Sequence, residues 1–263
     1  MIDLYAAGTS NGMRARIALE ECGLPYTLHP VDIAKGEHKT PQFLAMNPNG
    51  QIPVIVDRDG PGGKPLTLSQ STAILMYCAE KSGKFMPKDG AARAVMLEAL
   101  MVASTDVTPI FGACFGLMRS KEPHAPSIQV FKDRLRAFFK VWDDKLAKRK
   151  YAAGDEVTIA DFSLYAGYAR VKGVVPEVLE GLANVGRWGQ AMASRPAIQP
   201  PSLIDHGCVV MPMFQFASPR LTGRGRPGSV APRVPFRAAH VRLRGSQRVV
   251  DAPRPPEGHS GCP

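Results

Sequence analysis

The 263-residue chain lacks the marks of several common protein classes. Its five cysteines (Cys22, Cys78, Cys114, Cys208 and Cys262) are scattered, odd in number and never spaced C-x-x-C. Neither a disulfide framework nor a zinc site is readable from them. Free thiols fit a reducing, cytoplasmic compartment, and no metal is expected. No uninterrupted apolar run reaches about 18 residues, the length a membrane helix needs, so no span is expected. The N-terminus is strand-like and carries Asp3, unlike the basic-then-apolar order of a secretion signal.

Acidic residues are the scarcer charge, 23 against 33 Lys and Arg, for a net +10. Such a balance raises nucleic acid or a membrane surface as a partner, but its distribution argues against both. Residues 1–198 carry only +4, whereas residues 199–263 hold nine Arg, three acidic residues and no lysine. Aromatics interleaved with the arginines, which single-stranded nucleic acid binders use, are missing there. Pro and Gly fill 18 of those 65 positions, so the segment cannot bury enough apolar surface to offset its chain entropy and is expected to be a disordered tail. Loss of lysine with gain of Arg, Pro and Gly is also what a GC-rich gene gives when read out of frame. A frameshift near residue 199 or 200 is therefore a further expectation. A shifted frame without a helix-forming continuation would count against it.

Residues 1–82 alternate between strand and helix periodicities. Residues 2–6 and 26–31 read as strands around a helix over 11–22, with Gly23 at its C-terminal cap. Thr40 followed by Pro41 predicts a cap and first turn of a short helix to Met46. Residues 53–56 and 65–68 predict a hairpin about the turn at 59–63, and Ser69 is expected to cap a helix to about Lys81, ended by Gly83. The order βαβ, α, ββα predicts an α/β thioredoxin-like domain. Residues 83–90 read as a linker, and 91–198 as an all-α domain. Within it 91–118 is one long Met-rich helix. Residues 127–148 are amphipathic, with Val130, Phe131, Leu135, Phe138, Val141, Trp142 and Leu146 as the apolar stripe. Thr158 and Asp161 form a capping box, which makes Asp161 structural. A last helix is expected over 187–195.

Two features carry chemistry. The turn Asn47-Pro48-Asn49-Gly50 leads through Gln51 and Ile52 to Pro53, which has no N–H and suits a strand start. That leaves Ile52 with a backbone edge on which an extended peptide could pair. Gln70 and Ser71 open a helix, whose unpaired N–H groups and dipole attract an anion. A peptide-like ligand bearing a carboxylate satisfies both. Thr9, Ser10 and Asn11 stand between a strand and a helix, where donors could meet a sulfur or simply cap the helix.

These residues resemble the glutathione site of glutathione transferases, and the first 80 residues, with Thr9-Ser10-Asn11-Gly12 and Ile17-Ala18-Leu19-Glu20-Glu21, resemble the bacterial Nu class of disulfide-reducing members. The zeta class is a weaker match, through Thr9-Ser10, Arg14–Leu19 and Gln70-Ser71. The resemblance implies a glutathione-dependent transferase or disulfide reductase that takes glutathione as co-substrate, with an electrophile or disulfide as partner and a homodimeric assembly. Thr9 and Asn11 would contact the glutathione sulfur. Ile52 would hold the cysteinyl unit beside a cis bond to Pro53. Gln70 and Ser71 would hold the γ-glutamyl end, and His38 and Gln51, with Lys39 as the charged alternative in the same loop, the glycyl carboxylate. Many members have an acid where Gln70 stands. Against these roles stand a plain N-cap at Thr9 and Asn11, a trans proline, simple helix capping at Gln70 and Ser71, and a solvated loop at His38 and Lys39. Tyr5, mid-strand, is a rival for thiol activation, and Cys22 is expected in the core. Met96, Met101, Phe111, Phe115 and Met118 line either a second-substrate pocket or the core; Arg119 and Arg134 could reach a ligand there or lie on a solvated face. The competing function is a non-catalytic binding module of the same fold.

Overall fold

Four short strands form one layer. β1 (Ile2–Ala6) and β2 (Tyr26–Pro30) run parallel, joined by α1 (Ser10–Cys22). β3 (Val54–Asp57) pairs antiparallel with β1, and β4 (Leu66–Ser69) with β3, giving the order β2-β1-β3-β4. This is the thioredoxin-like order that the sequence predicts. The central strands are buried on both faces, so they read as apolar runs rather than alternating ones. Leu4, Val54 and Ile55 are fully buried, each stabilising the fold by about 1.5–3 kcal/mol. The structure, a computed structural model, describes residues 1–199, which fall within one compact unit. The expected disordered tail lies outside the described residues, apart from Gln199.

Local signals set most boundaries of this layer. Thr9 caps α1, and Gly23 closes it in the left-handed conformation at φ 69°, where glycine avoids a Cβ clash. Thr40 caps α2 (Pro41–Met46), with proline in the first turn. One expected cap is displaced. Ser69 still pairs with Val54 as the last residue of β4, and Gln70 is the N-cap of α3 (Ser71–Ser82), at φ 73°. The strand register holds Ser69, so the turn into the helix falls on the next residue.

The second layer is helical: α4 (Gly90–Met101), α5 (Thr108–Met118), α6 (Ala125–Leu146), α7 (Ile159–Val174) and α8 (Ala183–Ala193). The single helix expected over 91–118 is interrupted by a π-helical stretch, Val102–Val107. There Thr108 Oγ1 donates to the Ala103 carbonyl at 2.7 Å and Ser104 Oγ to that of Leu100 at 2.8 Å. Gly90–Met118 is long and apolar enough to cross a membrane by length and composition, with mean hydropathy 1.4 over an 18-residue window. Arg93, Glu98 and Asp106 interrupt it, so no uninterrupted apolar run in it reaches about 18 residues. Its Met96, Leu100, Val107 and Phe111 form a buried stripe within the core.

In α6 the buried stripe is Leu135, Phe139, Trp142 and Leu146, whereas Val130 and Val141, expected on it, are 51% and 54% exposed. Spacings of four, three and four from Leu135 carry the stripe through Phe139 and leave both valines to the side. α8 begins four residues earlier than expected, because Asp143 accepts the backbone N–H groups of Asn184 and Val185 at 2.8 and 2.9 Å. The two layers share one apolar core. The Ile159 N–H donates to the Phe85 carbonyl at 3.1 Å, and the Phe85 and Phe162 rings meet edge-on at 5.0 Å. Arg195, just past α8, grips Glu21 near the end of α1 with two bonds of 2.5 and 2.6 Å.

Asp161 organises the helical layer. Its buried carboxylate accepts from Ala152 N and Trp188 Nε1 through Oδ1 (2.8 and 2.9 Å), and from Thr158 N and Oγ1 through Oδ2 (3.0 and 3.3 Å). Burial pushes its carboxyl up from the ordinary range, against the donors that hold it down. Removing an acceptor that serves several buried donors leaves each unpaired. Asp161→Ala is therefore expected to destabilise by about 3–5 kcal/mol, and Asp161→Asn by less. Denaturant unfolding followed by tryptophan fluorescence measures both; a loss below about 1 kcal/mol for the alanine variant would refute this role.

Candidate active site

The cleft is built where three local structures converge on the ends of β1 and β3. Gly12 lies so close to the loop after β1 that a Cβ there would stand 2.2 Å from the Ala7 carbonyl oxygen. Glycine thus lets α1 start directly against the strand, which fixes Thr9 and Asn11. Thr9 Oγ1 accepts the Gly12 N–H at 3.1 Å. This is the N-cap of the plainer reading, and it leaves the hydroxyl hydrogen available to a second acceptor. The cap and a thiol contact are therefore compatible.

Asn11 is oriented by its neighbours. Its Oδ1 accepts from Arg14 Nη1 at 2.6 Å and from Ser71 Oγ at 3.3 Å. A guanidinium has donors only, so the atom facing it must be the oxygen. The Asn11 NH2 group is then the donor left for a ligand.

Arg14 itself is 1% exposed. Its Nε donates to the Ser163 carbonyl of α7 at 3.2 Å, and its Nη2 bonds Thr108 Oγ1. Burial pulls the guanidinium down to about 10, which still leaves it charged at neutral pH. Nothing in the sequence marks Arg14 as buried, since a charge on a helix ordinarily reads as solvated.

The second wall is the turn 47–53. Asn47, buried, donates through Nδ2 to the Gln51 carbonyl at 2.7 Å and accepts the Asn49 N–H through Oδ1 at 3.2 Å. In the sequence Asn47 is legible only as a turn residue, although an Asn before Pro is the type that bonds its own turn. Gly50 adopts φ +58°, and a Cβ there would meet Lys39 Nζ at 2.7 Å and the His38 carbonyl oxygen at 2.9 Å. The Ile52–Pro53 bond is cis. No backbone hydrogen bond among the described residues engages Ile52.

The third wall joins the start of α3 to the loop before α2. Gln70 lies in the left-handed region, which non-glycine residues enter at a cost of about 1–3 kcal/mol. Its side chain makes no capping bond. His38 Nδ1 is buried without a hydrogen-bond partner, while Lys39 Nζ donates to the Asn49 carbonyl at 3.2 Å.

Together these walls enclose about 400 Å³, within the usual range for a small-molecule site. All eight residues singled out for a ligand line it: Thr9 and Asn11, His38 and Gln51, Ile52 and Pro53, Gln70 and Ser71. Arg14 stands behind Asn11, outside the lining. Asn47, Gly50, Lys39 and Ile33 complete the walls, and no lining residue is a carboxylate. With two helix N-termini at its edge, the cleft suits an anion. Elsewhere, Tyr5 stacks on His29 at 4.6 Å and Cys22 is buried in the core; neither lines the cleft. Met96 is fully buried in the core, Met101 is exposed, and Phe111 and Phe115 stack at 5.8 Å with the guanidinium of Arg119 5.5 Å and that of Arg170 5.7 Å from the Phe115 ring.

Known proteins share the sequence and the fold. Residues 10–81 match the family model of the glutathione S-transferase N-terminal domain, and residues 105–196 that of the C-terminal domain. The disulfide-bond oxidoreductase YfcG of Escherichia coli is 35% identical over 167 residues, covering 63% of this chain and 78% of that one. A glutathione transferase from Burkholderia graminis, solved with two glutathione molecules per subunit, superposes with a TM-score of 0.72 at 32% identity, over 75% of this chain and 85% of that one. One from Pseudomonas putida, solved with one glutathione disulfide per subunit, gives 0.70 at 30% identity, over 80% and 91%. The fold, the paired domain matches and these relatives agree with the resemblance read from the first 80 residues: the chain belongs to the glutathione S-transferase family.

Proposed function

We propose that this chain binds glutathione in the cleft between α1, the 47–53 turn and α3, and uses its thiolate to attack an electrophile or a disulfide. The observation that carries the reading is the convergence of three unspent sets of groups: the Thr9 hydroxyl hydrogen and Asn11 NH2, the Ile52 backbone edge, and the α3 N-terminus with Gln70. The cysteinyl unit pairs with Ile52 as an added strand. The first N–H groups of α3 take the γ-glutamyl carboxylate, joined by Ser71 once its hydroxyl turns from its long 3.3 Å bond to Asn11 Oδ1. The Gln70 amide oxygen takes the ammonium. His38, Lys39 and Gln51 face the glycyl end.

The sulfur then lies at the mouth of α1. Thr9 O–H and Asn11 N–H donate to it, and a hydrogen bond to a charged acceptor contributes about 1.5–3 kcal/mol, lowering the thiol pKa. With an aryl halide, the thiolate forms a carbon–sulfur bond and halide leaves. With a disulfide, it forms a mixed disulfide and releases the other thiolate. A second glutathione then releases the remaining thiol and forms glutathione disulfide. The glutathione and glutathione disulfide bound in the Burkholderia and Pseudomonas proteins support this second route. The boundaries 1–82 and 91–198, a homodimer and a cytoplasmic location belong to the same reading.

Thr9→Ala and Asn11→Ala are each expected to lower kcat/KM about ten- to a hundredfold in both aryl-halide conjugation and glutathione-dependent disulfide reduction. Unchanged rates in both assays would refute the assigned roles. Gly50→Ala, which strains the turn and crowds Lys39 and His38, is expected to raise the KM for glutathione several-fold with kcat nearly constant. An unaltered KM would show that the turn does not shape the site.

A further inference from the structure

We propose that Arg14 is a positioning residue: a buried guanidinium, held by the helical layer, that keeps the Asn11 NH2 turned to the glutathione sulfur and supplies the positive charge that favours its thiolate. The inference rests on the glutathione reading above. Its starting observation is that Arg14 is nearly fully buried yet held only by neutral groups: Asn11 Oδ1, Thr108 Oγ1 and the Ser163 carbonyl. Among the described residues it makes no ion pair, and burial is the one cause acting on its ionisation. From α1, from the π-helical stretch running into α5 and from α7, the groups facing it are those three. The titratable groups lining the cleft itself are His38 and Lys39. A buried charge without a counter-ion favours an anion nearby, and the anion this family's reaction creates forms one amide away. The contact also polarises that amide, because a carbonyl that accepts from a cation makes its own N–H a stronger donor.

The hold on Arg14 comes from across the domain boundary. Thr108 follows the π-helical stretch, and its hydroxyl hydrogen is spent on the Ala103 carbonyl, so a lone pair is left for the guanidinium. Such stretches recur at functional sites. Ser163, whose carbonyl takes Arg14 Nε, also bonds Ser104 through its hydroxyl at 3.2 Å, and Thr72 of α3 donates to Ser104 at 2.8 Å. Through this chain Thr72, Ser104 and Ser163 set the orientation of Asn11 without touching glutathione. The chemical step concerned is one ionisation: the thiol proton leaves to solvent and the electron pair stays on sulfur.

The test uses the full chain with glutathione bound, following thiolate absorbance against pH in the wild type, Arg14→Lys, Thr108→Val, Asn11→Ala and the Asn11→Ala/Arg14→Lys double variant. Affinity for S-methylglutathione, which cannot ionise, is measured alongside. Arg14→Lys keeps a charge but loses the fork, and is expected to raise the apparent thiol pKa by about one unit, with S-methylglutathione affinity unchanged. Thr108→Val leaves Arg14 intact and releases one anchor; a smaller shift in the same direction is expected, and this variant carries the test if Arg14→Lys fails to fold. On the Asn11→Ala background, Arg14→Lys is expected to add little, since the two act as a unit. A bound thiol that titrates as in wild type in the folded variants, or fully additive shifts, would overturn the proposal. A wild-type complex whose thiol titrates like free glutathione would instead sink the glutathione reading itself.

Discussion

Helix α1 lies between the sheet and the helical layer, and the placement of Thr9 and Asn11 in the cleft depends on that confinement. Its neighbours are β1, α3 and α7, so eight of its thirteen residues are buried, Arg14 and Arg16 among them. A helix with one wet face could pivot; this one is held on the sheet side by the contact at Gly12 and on the other by apolar packing. The first turn of α1 is therefore a fixed object, and a hydroxyl and an amide mounted on it arrive with their orientations already chosen. Preorganised donors of this kind act on developing charge without having to reorganise.

Two ways of making a cleft attractive to an anion coexist in the same few residues. One uses backbone: the unpaired N–H groups of α1 and α3, whose dipoles point their positive ends into the cleft. The other uses side chains, with Lys39 tethered to the turn and a guanidinium behind the wall. The absence of carboxylates from the lining means neither is cancelled. In the proposed glutathione reading, the cleft would attract the ligand's carboxylates through cations and helix ends, and Gln70 would meet the ammonium without a charge of its own.

Much of this was legible in the sequence because it rests on local chemistry. Thr40-Pro41, Gly23 and the Thr158–Asp161 box announce helix ends through hydrogen bonds within a few residues, and the turn before Pro53 is a local event as well. What escaped was set by tertiary geometry. Arg14 is buried because three elements close over it, and no periodicity in α1 records that. The phase of α6 differs from the expected stripe because Val130 and Val141 are apolar residues on the solvent side, an arrangement that costs little. The π-helical stretch has no composition of its own, and the displaced cap at Gln70 follows from strand register rather than from propensity.

The grip of Arg195 on Glu21 ties the last helix of the described fold to α1, four residues before the abrupt change in composition. Mechanically, the fold is buckled shut upstream of that change. Pulling or loading the chain beyond residue 199 meets a two-pronged ionic clasp before it can reach the helix that carries Thr9 and Asn11.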